Sequence, residues 1–154
     1  GMTVRWMGLV VLVVLLGGSP EGWFDPQVRA QLALDDVRVK AEAGDPSAQR
    51  RLGLMYAGGR GVEQDDTEAV RWFRRAAEQG EPRAQANLGF SYALGKGVPL
   101  DYVEAYRWLD LAVGRSSNEK RELFRRNREA VAIKMTAAEV VDAKRLARAW
   151  RETY

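Results

Sequence analysis

The chain contains no cysteine and no histidine. The first absence rules out a disulfide framework and any thiolate site. The second removes, together, the usual general base near neutral pH and the commonest metal ligand. Charge of one sign is also scarce. The 24 Lys and Arg residues against 21 Asp and Glu leave a formal net charge of +3, too small to argue for a nucleic-acid partner. No nucleophile elbow and no convergent carboxylate pair is legible. The chain is therefore read as a non-enzyme with no catalytic residues, no metal site and no cofactor; a small envelope hydrolase stands third among the readings.

A long hydrophobic run is missing too. Gly1 precedes Met2, the natural start, and reads as a cloning remnant. Arg5 then leads into the apolar stretch Trp6 to Leu16, followed by Gly17-Gly18-Ser19-Pro20. This stretch has about half of the roughly 20 residues that cross a bilayer, and it fits the apolar core of a signal peptide. Residues 1–22 are thus expected to be a leader, which places the protein in the periplasm or envelope. Pro20 beside the expected cut is unfavourable for cleavage, so the alternative is an N-terminal anchor in which residues 2–19 stay in the membrane. No cysteine follows the run, which excludes bacterial-type lipid attachment through one.

What is present is a repeat. Shifting the chain by 36 residues lays residues 44–79 on residues 80–115 with 17 identities in 36 positions and no gap. Ala48-Gln49 meets Ala84-Gln85, Leu52-Gly53 meets Leu88-Gly89, Tyr56 meets Tyr92, and Gly59-x-Gly61-Val62 meets Gly95-x-Gly97-Val98. Asp65, Glu68, Ala69, Trp72 and Ala76 meet Asp101, Glu104, Ala105, Trp108 and Ala112. A period of this length is the signature of a stacked supersecondary unit that buries its apolar face on the next copy.

Each copy reads as two antiparallel helices. Ala48, Leu52 and Tyr56 recur at helical spacing over about 47–57, and the glycine turn after them breaks the helix. Asp65-x-x-Glu68 and Asp101-x-x-Glu104 have the form of capping boxes. The helix opened by the first, about 66–79, turns Ala69, Trp72, Phe73 and Ala76 inward. Gly80-Glu81-Pro82 starts the next unit, with Pro82 suited to a first helical turn. Asp25-Pro26 is expected to open a helix over 25–43, a leftover second-type helix capping the stack. Ser116-x-x-Glu119 and Thr136-x-x-Glu139 are expected to cap two closing helices within 116–154. The first of these, about 118–134, carries Leu123, Phe124, Ala130 and Val131; the second, about 137–151, carries Val140, Ala143, Leu146, Ala147 and Trp150. About seven helices result.

The pattern of Ala48, Leu52-Gly53, Tyr56, Gly59, Gly61-Val62, Asp65, Ala69, Trp72 and Ala76, repeated 36 residues on, closely resembles the Sel1-like repeat, a longer-turned relative of the tetratricopeptide repeat. The run Met135 to Glu139, continued by Ala143, Leu146-Ala147 and Trp150, looks like the closing helix of bacterial members. The resemblance implies an all-α fold, a right-handed α/α solenoid of antiparallel helix pairs. It also implies a scaffolding role in which the concave face holds a peptide or another protein.

Several features invite sharper readings. Gly95-Lys96-Gly97 lacks the rest of a phosphate loop and reads as a turn. Asp65, Asp66 and Asp101 read as helix caps rather than catalytic or calcium-binding carboxylates. Trp72 and Trp108 with Tyr56 and Tyr92 read as core rather than a sugar-stacking platform. Arg121, Arg125, Arg126 and Arg128 interleave with Glu119, Glu122 and Glu129, as on a solvated helix face; lipid or acidic-partner contact is the alternative, and a membrane-tethered spacer with this basic surface is the runner-up function. On the tetratricopeptide model, the candidate partner-binding face is Arg50, Leu54, Arg83, Asn87, Phe90 and Leu94. Those residues suit a peptide with apolar anchors and an acidic group, unless Phe90 and Leu94 pack on the 118–134 helix and fill the groove from within. A monomer is expected.

Overall fold

The computed structural model describes residues 25–154; the expectations for residues 1–22 lie outside them. Seven helices follow in order: α1 Pro26–Glu42, α2 Pro46–Gly58, α3 Asp66–Glu78, α4 Pro82–Leu94, α5 Tyr102–Arg115, α6 Asn118–Ala132 and α7 Ala137–Thr153. There is no strand among the described residues. The chain divides within α1, and the unit Asp36–Tyr154 contains both repeats and the closing helices.

The two repeats share their local chemistry. Asp65 and Asp101 both sit at φ −151° and accept from the backbone N–H of Glu68 and Glu104 at 3.0 and 3.1 Å. Each such cap satisfies an otherwise orphaned amide and stabilises its helix by about 1 kcal/mol. Pro46 and Pro82 stand at the first helical position, where a missing N–H costs nothing. Gly59 and Gly95 end α2 and α4 at φ 62° and 63°, a left-handed conformation that a Cβ would strain.

Within each repeat the helices approach closely because a glycine lies at the crossing. A Cβ on Gly53 would fall 2.5 Å from the Phe73 ring and 3.1 Å from the Ala69 carbonyl oxygen. One on Gly89 would meet Leu109 at 2.9 Å and the Ala105 carbonyl oxygen at 3.1 Å. The Leu-Gly pair of the repeat is thus a packing device, with Leu52 and Leu88 fully buried beside it.

Helices α2 and α3, α3 and α4, and α4 and α5 pack as successive neighbours, and both α6 and α7 dock on α5. One core gathers Phe73, Leu88, Trp108, Leu111, Ala147 and Trp150, and a second gathers Tyr106, Leu109, Phe124, Val131 and Ala143. The last turn of α1 behaves as the second helix of a preceding repeat. Gln49 Nε2 donates to the Ala41 carbonyl at 3.1 Å, and 36 residues later Gln85 Nε2 donates to Ala77 at 3.2 Å.

Three expectations need correction. Ser116 does not cap α6: its own N–H closes α5 on Val113, and Ser117 holds the N-cap position without a side-chain bond. Thr136, by contrast, forms a complete capping box with Glu139. Leu123 and Ala130 face solvent, leaving Phe124 and Val131 to anchor α6. Trp72 is only half-buried whereas Trp108 is 2% exposed, because Trp150 of α7 lies edge-on to Trp108 at 6.3 Å.

Candidate functional site

Helices α2 and α4, the first helices of the two repeats, flank a depression of about 180 Å³ with α3 as its floor. Equivalent stretches of sequence place equivalent faces here. Leu54 and Ala57 come from α2, Ala69 and Phe73 from α3, and Asn87, Phe90, Ser91 and Leu94 from α4. Lys96 and Asp66 complete the rim with one charge of each sign. The floor is buried, Leu54, Asn87 and Phe90 are half-buried, and Leu94 is 64% exposed.

Four of the six candidate side chains therefore come together: Leu54, Asn87, Phe90 and Leu94. Arg50 and Arg83 do not line the depression. Arg50 is committed elsewhere, its Nε 3.7 Å from Glu81 Oε2 with only 16% of the side chain exposed. Glu81 in turn caps α4 by accepting from the Ala84 N–H. Arg83 is exposed in the first turn of α4.

Phe90 faces two ways. It lines the depression and also packs against the cluster that contains Phe124 and Val131 of α6. No residue of α6 lines the depression itself. Ser91 donates its hydroxyl to the Asn87 carbonyl at 3.0 Å, and Asp66 accepts from Gln64 Nε2 at 3.0 Å. Sequence reasoning missed Asp66 and Lys96 as rim residues, because both were absorbed into a cap and a turn. The available signal was that Asp66 opens α3 just after the turn that follows α2, and that Lys96 lies in the equivalent turn after α4. Among the described residues no cluster of acidic side chains has the arrangement of a metal site, and no helix is long and apolar enough to cross a membrane.

A set of ion pairs locks the closing helices. Asp110 of α5 receives Arg128 of α6 at 2.6 Å and Arg151 of α7 at 2.9 Å, with 12% of its side chain exposed. Burial raises the Tyr106 phenol above its ordinary pKa; Asp110 and Glu129 add to that, and the Arg128 guanidinium over the ring works against it. On the open face of α6, hydrogen bonding from Arg125 holds the Glu122 carboxyl below its usual range.

Comparison with known proteins agrees with this architecture. The Sel1 repeat family matches residues 46–81 and 82–113. The secretory immunoglobulin A-binding protein EsiB of Escherichia coli O6:H1 is 44% identical over 43 residues, which is 28% of this chain and 9% of that protein. A protective antigen of uropathogenic Escherichia coli displaying an SLR fold superimposes with a TM-score of 0.74 at 36% identity, over 80% of this chain and 26% of its own. A Sel1 repeat protein from Oxalobacter formigenes gives 0.56 at 35% identity, over 62% and 40%. The chain spans less than half the length of each of these relatives. With its 36-residue period, its paired helices and these matches, the chain carries two Sel1 repeats over residues 46–113 and folds as an all-α helical solenoid.

Proposed function

We propose that the protein is an exported, non-catalytic adaptor that holds a segment of another protein in the depression between α2 and α4. Leu54, Phe90 and Leu94 grip an apolar side chain, and the Asn87 amide serves the backbone beside it. The observation that carries this reading is Leu94, a leucine 64% exposed at the rim of an apolar depression. Such a surface is an unfinished hydrophobic contact. A volume of about 180 Å³ is smaller than a typical small-molecule pocket and suits a single anchoring side chain. One anchor gives weak binding, so useful affinity would come from several contacts engaged together.

Sel1 repeat proteins mediate protein–protein interaction, and an immunoglobulin-binding protein and a protective antigen among the relatives favour a partner met outside the cell. The apolar stretch Trp6 to Leu16 after Arg5 supports the same route. That stretch also favours a second reading, a spacer that stays tethered through residues 2–19. The mass of the protein recovered from cells separates the two, since cleavage removes about two kilodaltons.

The adaptor reading is tested by capture from envelope extracts with wild type, Leu94→Asp, and Val141→Asp as a control on α7. A protein retained by wild type and the control but lost by Leu94→Asp supports it; equal retention by all three contradicts it.

A further inference from the structure

Five arginines lie over aromatic rings among the described residues: Arg74 on Tyr92, Arg75 on Trp72, Arg107 on Trp108, Arg115 on Trp150 and Arg128 on Tyr106. Stacking fixes the guanidinium plane and leaves its N–H edge available for a carboxylate. Two of the five use this edge. Arg107 meets Glu104 at 2.6 Å, and Arg128 meets Asp110 at 2.6 Å. Arg115 is exposed and has no carboxylate partner among the described residues; its guanidinium lies in the space where a side chain on Gly80 would stand.

Arg74 and Arg75 differ from Arg115 in bordering one shared groove. Arg74 is half-buried, 5.7 Å from the Tyr92 ring centroid, with Nη2 donating to the Tyr92 hydroxyl at 2.6 Å. Arg75 is exposed and lies 4.6 Å from the Trp72 centroid. Neither has a carboxylate partner among the described residues. Both border an open groove of about 470 Å³ between α3 and the turn at Gly97-Val98, together with Arg71, and no acidic residue lines it. The cause is visible in the repeat. Arg74 occupies the position that Asp110 holds 36 residues later, so the site that receives two arginines in the second repeat presents one in the first.

We infer that this groove is a second docking site, specific for an acidic peptide segment of a partner protein, whose carboxylates pair with Arg74 and Arg75 over a floor of Val70 and Val98. The site is separate from the depression between α2 and α4, and its argument does not depend on that one. Two pre-stacked guanidiniums lose little freedom on binding, and attraction to exposed arginines is screened by salt.

The test uses the full chain and two labelled probes of opposite charge, a Glu-Glu-Leu-Glu-Glu peptide and a Lys-Lys-Leu-Lys-Lys peptide, read by fluorescence anisotropy. The acidic probe is expected to bind, to weaken with added salt, and to lose about tenfold in affinity in Arg75→Gln and more in Arg74→Gln/Arg75→Gln. Val141→Asp, at a position that lines neither the groove nor the depression, should bind it as wild type does. Arg75 makes no hydrogen bond that the fold requires, so the single variant keeps the test open if the double variant unfolds. No binding of the acidic probe, equal binding of the basic one, or indifference to Arg75→Gln overturns the proposal. So does binding to phosphatidylglycerol vesicles that requires Arg75 while the peptide is ignored, which would assign the groove to a membrane surface.

Discussion

Gln49 and Gln85 lie 36 residues apart, both fully enclosed, and each donates its side-chain amide to the carbonyl eight residues earlier, on Ala41 and Ala77. The two differ at the other end of the amide. Gln79 Nε2 donates to Gln49 Oε1 at 2.7 Å, whereas the matching position in the second repeat is Arg115 and Gln85 Oε1 has no partner. Both acceptor carbonyls also receive a backbone N–H, from Gly44 and Gly80. Removing the glutamine therefore does not orphan them. Gln49→Met is expected to cost about 2 kcal/mol and Gln85→Met about 1 kcal/mol or less, since it removes one hydrogen bond and an unsatisfied oxygen together. Urea denaturation of both variants measures the order.

The two repeat tryptophans should separate further. Trp108→Ala empties a site at the centre of the main core and is expected to cost about 3–5 kcal/mol. Trp72→Ala removes a half-buried ring covered by Arg75 and is expected to cost about 1 kcal/mol. Equal losses in chemical denaturation would contradict the packing described.

Asp110→Asn should loosen the closing helices selectively. It leaves Arg128 and Arg151 without the carboxylate that ties α6 and α7 to α5, at a cost of about 2 kcal/mol for a pair that is largely but not wholly buried. Hydrogen exchange should quicken in α6 and α7 while α2 and α3 keep their protection.

The Tyr106 phenol gives a pH signature. Its pKa in the folded protein is raised above 10.0, so the folded state binds this proton more tightly than the unfolded one. The resulting stability is present below pH 10 and is lost as pH rises through the raised value. Ultraviolet titration of the tyrosinates should show a late component that Tyr106→Phe removes.

How far these features were legible depended on whether they were local. The period, the Asp65 and Asp101 caps and the glycine stops repeat in sequence and follow from backbone chemistry alone, so helix ends were readable to within two residues or so. Ser116 misled because a Ser-x-x-Glu spacing signals a helix start only if the preceding helix has already ended, and α5 runs to Arg115. Trp72 and Trp108 sit in identical local motifs; what separates them is Trp150, distant in sequence. Arg50 does not line the depression with the other candidates and lies 3.7 Å from Glu81, 31 positions away. That Leu54, Asn87, Phe90 and Leu94 line one depression follows from helix periodicity, while the surroundings of the arginines are set by contacts between helices.

The claim that matters most is that Leu94 stands at a partner-binding site. A photo-crosslinking residue, p-benzoylphenylalanine, placed at position 94 and separately at the equally exposed position 141 tests it in intact cells. A discrete adduct formed from position 94 and absent from position 141 is the predicted result. No adduct from position 94, or the same adducts from both, would contradict the assignment of the depression between α2 and α4.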